Sequence, residues 1–193
     1  MDRMTPPRVL ALTAAASLGS TAPAASAHAL EEIYFGIGAL GWENQQDGLE
    51  DARSAGGRLT AGALFSPRIG IEAHFGKGGS DTVETRADYR EPDVDETDVE
   101  VSNLDSVLLR LNAPLMGWFH VYALGGFSAV EVIETPDSPF EEAEEFTESG
   151  FSFGVGLEIR TPERYALSID YVQYISEPGF DVAGASATVK WRF

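Results

Sequence analysis

From Glu32 to Phe193, apolar side chains recur at every second position rather than with the 3.6-residue period of a helix. Ile33, Phe35, Ile37 and Ala39 alternate with Tyr34, Gly36 and Gly38. Leu59, Ala61, Ala63 and Phe65 alternate with Arg58, Thr60, Gly62 and Leu64. Ile69, Ile71, Ala73 and Phe75 alternate with Gly70, Glu72 and His74. The same period governs 106–112, 151–160, 165–171 and 183–193, and 119–132 is apolar on both parities. A period of two places successive side chains on opposite faces of a strand. Eight strands of about ten residues follow, the length a tilted strand needs to cross a bilayer.

Short and long connections alternate along the chain. Ser66-Pro67-Arg68, Asn112 to Gly117 and Thr161 to Arg164 read as tight turns, each with a proline. The stretches 43–56, 77–100, 133–148 and 175–181 are mostly longer and polar, and read as loops. An up-and-down antiparallel barrel with one plain and one elaborated rim has this pattern. In bacterial membrane barrels the short turns are periplasmic and the long loops extracellular.

The chain carries 31 Asp and Glu against 13 Lys and Arg, a formal net charge of −18. That balance argues against nucleic acid as a partner, because binding phosphates needs clustered Lys and Arg. The charge is also segregated. The stretches 43–56, 77–100, 131–148 and 175–181 hold −19, while the rest of the chain after residue 29 has seven acids and seven bases. All net charge therefore falls at one rim. Cysteine is absent, which removes disulfides, thiolate metal sites and cysteine nucleophiles together.

The parity opposite the apolar one carries Arg58, Glu72, His74, Arg110, Glu158, Arg160, Asp170, Lys190 and Arg192 among glycines and serines. A soluble barrel would turn these to water, whereas a membrane barrel turns the apolar parity to lipid and these inward. Aromatic residues decide between the two. With a periplasmic N-terminus, Phe65, Phe119, Tyr165, Trp191 and Phe193 fall at the lower strand ends. Trp42, Phe75, Phe127, Phe151 and Phe153 fall near the upper ends. Two interfacial belts belong to a membrane barrel. Buried charges must be paired or hydrated. The nine polar residues are therefore expected to form a salt-bridge network plugging the lumen, with Glu158, Arg160, Lys190 and Arg192 in its periplasmic half. Asp105 falls on the apolar parity, which points to the outer interface or to a bulge that switches parity.

Residues 1–29 have the order of a secretory signal peptide. Arg3 and Arg8 precede and flank the apolar run Val9–Leu18, and small residues follow with A-x-A sites ending at Ala27 and Ala29. The apolar run is half of the ~20 residues a spanning helix needs. The expected division is a signal peptide at 1–27, with cleavage after 29 as the alternative, and a barrel domain at 30–193. The chain ends with Val189, Trp191 and Phe193 alternating to a terminal aromatic, which resembles the signal read by the bacterial barrel-assembly machinery.

With the Leu104-Asp105-Ser106-Val107 and Val121–Phe127 segments, these features resemble the small eight-stranded outer-membrane barrel family. That family includes the transmembrane domain of outer membrane protein A, the OmpX and Ail group, and the neisserial opacity proteins. The resemblance spans 30–193 and rests on pattern rather than on a catalytic motif. It implies an all-β, eight-stranded antiparallel up-and-down transmembrane barrel in the outer membrane of a Gram-negative bacterium. It further implies a monomer in contact with outer-membrane lipid and lipopolysaccharide, delivered by periplasmic chaperones and the barrel-assembly machinery, with a structural or adhesion-like, opacity-type role and no cofactor.

Lipid A-modifying enzymes of deacylase or acyltransferase type share the architecture and provide a second reading. The known deacylase pattern has a His followed two residues later by Ser, whereas His74 is followed by Gly76 and His120 by Tyr122. A nucleophile needs a base in contact. No local pair offers itself, so no catalytic or metal residue is assigned, and His74 reads as a lumen residue bonded to its neighbours. A small-solute or ion channel is a third reading, set against an eight-stranded interior that side chains fill; a porin-family name would not change that. The run Asp93-Val94-Asp95-Glu96-Thr97-Asp98 lacks the glycine and terminal-Glu spacing of a calcium loop, and reads with Glu141–Glu145 as solvated acid. N-terminal sequencing of protein from outer membranes is expected to start at His28 or Leu30; a retained Met1 would refute the signal peptide.

Overall fold

The computed structural model describes residues 30–47, 49–84, 96–136 and 143–193. The expected signal peptide, residues 93–95 of the first acidic run and Glu141–Glu142 of the second lie outside the described residues. The strands are β1 (Glu32–Gln46), β2 (Ala52–Ser66), β3 (Ile69–Lys77), β4 (Ser80–Glu84), β5 (Glu96–Pro114), β6 (Phe119–Pro136), β7 (Glu144–Arg160), β8 (Tyr165–Glu177) and β9 (Phe180–Arg192). All pairings are antiparallel. β3 and β4 both pair with β5 in one register, Gly76 opposite Leu104 and Ser80 opposite Glu100, so together they form a single wall. It is interrupted at Gly78–Gly79, where the Trp42 indole occupies the space a side chain at Gly78 would take. Counted as walls, the sheet is the expected eight-stranded up-and-down barrel.

β1 and β9 close it, from Tyr34 opposite Arg192 to Gln46 opposite Phe180. In hydrocarbon there is no water to satisfy an open strand edge, so the sheet must meet itself. The tight turns β2–β3, β5–β6 and β7–β8 share one end with Leu30 and Phe193. That end is periplasmic by the rule for such barrels.

On the lipid face Ile37, Leu59, Val107, Val155 and Ile169 are exposed. Phe65, Tyr165, Trp191 and Phe193 ring the lower edge, where Trp191 stacks on Phe193. Phe75, Phe127, Phe151 and Phe153 mark the upper one. Trp42 departs from the expected upper belt. It sits on the inward parity of β1 and is buried inside the barrel. Asp105 points outward, opposite Phe75 and Ala129, at the level of the upper aromatics. The bulge in β5 lies above it, between Val101 and Asn103, and switches parity only beyond that point.

Two expectations change. The strands are longer than a bilayer requires: β5 has 19 residues, β6 has 18 and β7 has 17. Much of what reads as loop at 43–56, 96–100, 133–136 and 144–148 is paired strand standing above the membrane. The ladder continues because the alternation does: Thr97, Val99 and Val101 are buried while Glu96, Asp98 and Glu100 are exposed. The interior is also not polar throughout. Leu40, Trp42, Leu104, Leu108, Leu124, Val130, Val172 and Val182 belong to one buried apolar cluster in the upper half of the lumen. That cluster explains why 119–132 is apolar on both parities: β6 faces lipid outside and this cluster inside.

The wall between β7 and β8 is incomplete. They pair from Arg160–Ala166 only as far as Phe153–Gln173. A bulge in β8 between Gln173 and Ile175 turns Tyr174 and Ile175 both inward, each 0% exposed, and leads β8 away from β7.

Candidate functional site

Inward parity on β2, β3, β5, β7, β8 and β9 gathers the charged side chains into the lower half of the lumen. Arg58, Arg110 and Lys190 face Glu72, Glu158 and Asp170, three cations against three anions, all buried. Arg58 grips Asp170 with both terminal nitrogens, at 2.8 and 2.7 Å. Asp170 also accepts from the Tyr122 hydroxyl at 2.9 Å and from Ser186 at 3.0 Å. Arg110 bridges Glu72 and Glu158, the latter at 2.7 Å, while its Nε donates to Asn112 at 2.8 Å. The Lys190 ammonium lies 3.1 Å from Glu72 and 3.4 Å from Glu158.

His74 joins the two halves. Its Nε2 is 2.8 Å from the Glu72 carboxylate and must donate there, which leaves Nδ1 toward the Tyr174 hydroxyl at 3.4 Å. Arg58 donates to the same hydroxyl at 3.0 Å. At the periplasmic mouth Arg160 donates to Glu158 at 2.7 Å, and Arg160 and Arg192 converge on Glu32. The structure thus places all nine charged and imidazole residues singled out in the sequence inside the barrel, in one connected set. Charge-assisted bonds of this kind are the strong ones, and the low dielectric makes each unpaired member costly.

Four participants escaped the sequence reading. Glu32 stands at the very start of β1, where alternation has no history. Tyr34, Tyr122 and Tyr174 are inward-facing but uncharged. The Tyr34 hydroxyl donates to Glu72 at 2.6 Å, and the Arg110 guanidinium lies 3.7 Å from the Tyr122 ring centroid. The signal available for two of them is the glycine directly across the strand. Tyr34 pairs with Gly62, and Tyr122 with Gly156. A Cβ at Gly62 would fall 2.2 Å from the Tyr34 ring, and one at Gly156 would fall 2.3 Å from Tyr122. Only glycine lets those rings lie flat against the wall beside Arg110 and Lys190.

The two histidines show no hydrolase pairing among the described residues. His74 bonds carboxylate, guanidinium and phenol, and His120 stands across the strand from Glu158. Hydroxyls do cluster higher up: Ser128 Oγ lies 2.7 Å from Ser106 Oγ and 2.6 Å from Ser152 Oγ, and Ser152 donates to the Tyr174 carbonyl at 2.7 Å, tying β7 to β8 where the ladder ends.

The outer rim is the second chemical feature. Its described cations are Arg53 and Lys77. Arg53 is engaged by Glu43 at 2.7 Å, and that bond holds the Glu43 carboxyl below the ordinary range. Glu134 stands opposite Glu144 on the next strand. Burial, reinforced by the neighbouring Glu144 charge, holds its carboxyl above the ordinary range.

A closed eight-stranded barrel with lipid-facing aromatics at both edges and paired charges inside is an integral outer-membrane β-barrel of a Gram-negative bacterium. The family model described as outer membrane protein beta-barrel domain matches residues 10–193, and the chain belongs to that family. Similar solved structures include Ail, the attachment invasion locus protein of Yersinia pestis, at 17% identity and a TM-score of 0.61, covering 84% of this chain and 98% of that one. OprG of Pseudomonas aeruginosa has 12% identity and a TM-score of 0.61, covering 84% and 95%. Neisserial surface protein A has 12% identity and a TM-score of 0.59, covering 83% and 97%. At these identities the likeness is one of fold. A comparison with curated proteins finds no match.

Asp170→Ala would strand the Arg58 guanidinium in a closed space. It is expected to cost ~3–5 kcal/mol, read as a lower urea midpoint for loss of heat-modifiable gel mobility. The Arg58→Met/Asp170→Leu pair should recover much of that loss, because it removes both charges together.

Proposed function

We propose that the protein works from its outer rim and not through its lumen. It is a monomeric, surface-interaction barrel held in outer-membrane lipid and lipopolysaccharide, presenting an acidic extracellular surface to partners. One observation carries this reading: the lumen is filled twice, by paired charges below and by the Leu40–Leu104–Leu124–Val172 cluster above. Conducting ions or solutes would require separating buried ion pairs, each at a cost of several kcal/mol. A lipid A-modifying role lacks comparable support, since His74 is enclosed in the lumen, away from lipid.

The rim also indicates the class of partner. Ail was solved with sucrose octasulfate, a heparin analogue, bound to it. A polyanion of that kind is repelled here, where acids dominate, and cationic surfaces are complementary. Contact with the phosphates of lipopolysaccharide then runs through bridging divalent cations rather than direct Lys or Arg pairs. Export follows the same reading. The signal peptide is removed, periplasmic chaperones carry the chain, and the barrel-assembly machinery recognises Val189, Trp191 and Phe193, whose exposed side chains face lipid on the strand that closes the barrel.

Purified barrel in planar bilayers is expected to be electrically silent; regular unit conductances from the wild type would overturn the closed-lumen reading. Cells displaying the protein should bind polylysine-coated beads and not heparin-coated ones, and the opposite preference would overturn the assignment of the rim. Deleting Phe193 should slow appearance of the heat-modifiable form in the outer membrane. Assembly of the truncated chain at the wild-type rate would remove the terminal signal.

A further inference from the structure

The inward parity turns polar again above the hydrophobic plug. On β1 it runs through Trp42, Asn44 and Gln46, and on β6 through Val130, Val132 and Glu134. The Gln46 amide donates to the Glu134 carboxylate, so β1 reaches β6 across the mouth of the barrel although the two strands are not neighbours in the sheet. Gln46 Oε1 and Glu134 Oε1 are both buried and have no partner among the described residues. Glu144 stands directly opposite Glu134 on β7, on the same inward parity. Asn44 lies one inward position below Gln46 and is 2% exposed, yet neither its Oδ1 nor its Nδ2 has a partner among the described residues. Its cross-strand neighbours are Ala52 and Val182, members of the buried apolar cluster.

This arrangement is unfavourable as it stands. Like charges directly opposite on one face of a ladder repel, and a buried amide without hydrogen bonds is costly. The described cations of the rim do not relieve it. Arg53 is held by Glu43, and both Arg53 and Lys77 lie on the outward parity of their strands. What the mouth offers is oxygen: two carboxylates, and two amide carbonyls of which the glutamine's is left over once its nitrogen has donated to Glu134. Carboxylate and amide oxygens together are the ligands of hard cations. The acidic rim around them draws cations toward the same point. Calcium suits the set better than magnesium, because it accepts a variable number of oxygens in flexible geometry, with waters completing the shell, whereas magnesium demands a near-ideal octahedron and sheds water reluctantly.

We propose that Gln46, Glu134 and Glu144, with Asn44 beneath them, form a binding site for one divalent cation of calcium type at the outer mouth of the barrel. The ion joins β1 to β6 and β7 across the lumen and caps the hydrophobic plug. The site is on the inward parity, so it is distinct from cations that bridge the rim to lipopolysaccharide, and it does not depend on what the rim binds.

The full barrel in phosphatidylcholine nanodiscs, free of lipopolysaccharide, is titrated with CaCl2 in physiological NaCl. One equivalent should bind with a Kd on the order of 10⁻⁴–10⁻³ M, as in extracellular calcium modules, and the side-chain amide resonances of Asn44 and Gln46 should shift in step with it. Magnesium should bind at least about tenfold more weakly. Glu134→Gln and Asn44→Ala should each weaken calcium binding by at least about tenfold with heat-modifiable mobility unchanged, which shows that the barrel is intact. Glu145→Gln, which removes the same charge from the outward face one residue from Glu144, should leave the affinity unchanged. Equal losses in Glu134→Gln and Glu145→Gln would mean diffuse attraction to the acidic rim and would overturn the site. Amide resonances of Asn44 and Gln46 that ignore calcium would overturn it too, leaving water as the partner of these groups. Equal affinity for magnesium would overturn the calcium-type assignment.

Discussion

Backbone hydrogen bonding in a solvent without water is the constraint on which the rest of this structure depends. A sheet in hydrocarbon must close, and here it does so through the β1–β9 ladder from Tyr34–Arg192 to Gln46–Phe180. Closure at eight walls leaves an interior about as wide as the side chains that project into it. Charged groups inside must then be paired by neighbours. That is why Arg58, Arg110 and Lys190 are matched by Glu72, Glu158 and Asp170, and why three tyrosines supply the remaining donors and ring faces.

The same strands meet different surroundings as they rise. In the lower half the outward parity meets lipid and the inward parity is charged. In the upper half the outward parity becomes acidic while the inward parity turns apolar, as with Val99 and Val101 set against Asp98 and Glu100. This inversion along the strand produces a barrel whose charge pairs lie beneath a hydrophobic plug. Bulges make the transition. The one in β5 re-aims the strand above Asn103, and the one in β8 opens the wall beside β7.

Much of this is legible in the sequence, for a physical reason. Side-chain parity is a local property of extended backbone, so Glu72, Glu158, Asp170 and their partners could be assigned to the lumen one strand at a time. The aromatic ends could be read the same way, except for Trp42, whose place near a strand end concealed its inward parity. Strand length was not legible from composition. Acids at 96–100 and 144–148 look like loop, yet Thr97, Val99 and Val101 keep the period of two, and a ladder once begun continues for as long as that period holds. Tyr34 and Tyr122 were hidden by carrying no charge, although Gly62 and Gly156 across the strands mark the space their rings require.

The sequence by itself determined the class of fold, the order of the walls, which parity faces lipid and the confinement of net charge to one rim, since these follow from periodicity and counting along a single chain. Only the tertiary structure decided which charges meet. Arg58 and Asp170 are 112 residues apart in sequence, and their fork depends on barrel register, on Tyr122 and Ser186 arriving from other walls, and on Tyr174 standing beside Asp170 on β8. It also decided that the upper lumen is a hydrophobic plug and that, among the described residues, β7 pairs with β6 alone above Phe153. Both depend on where bulges shift the register between neighbouring strands, and a bulge is a relation between two strands rather than a property of either one.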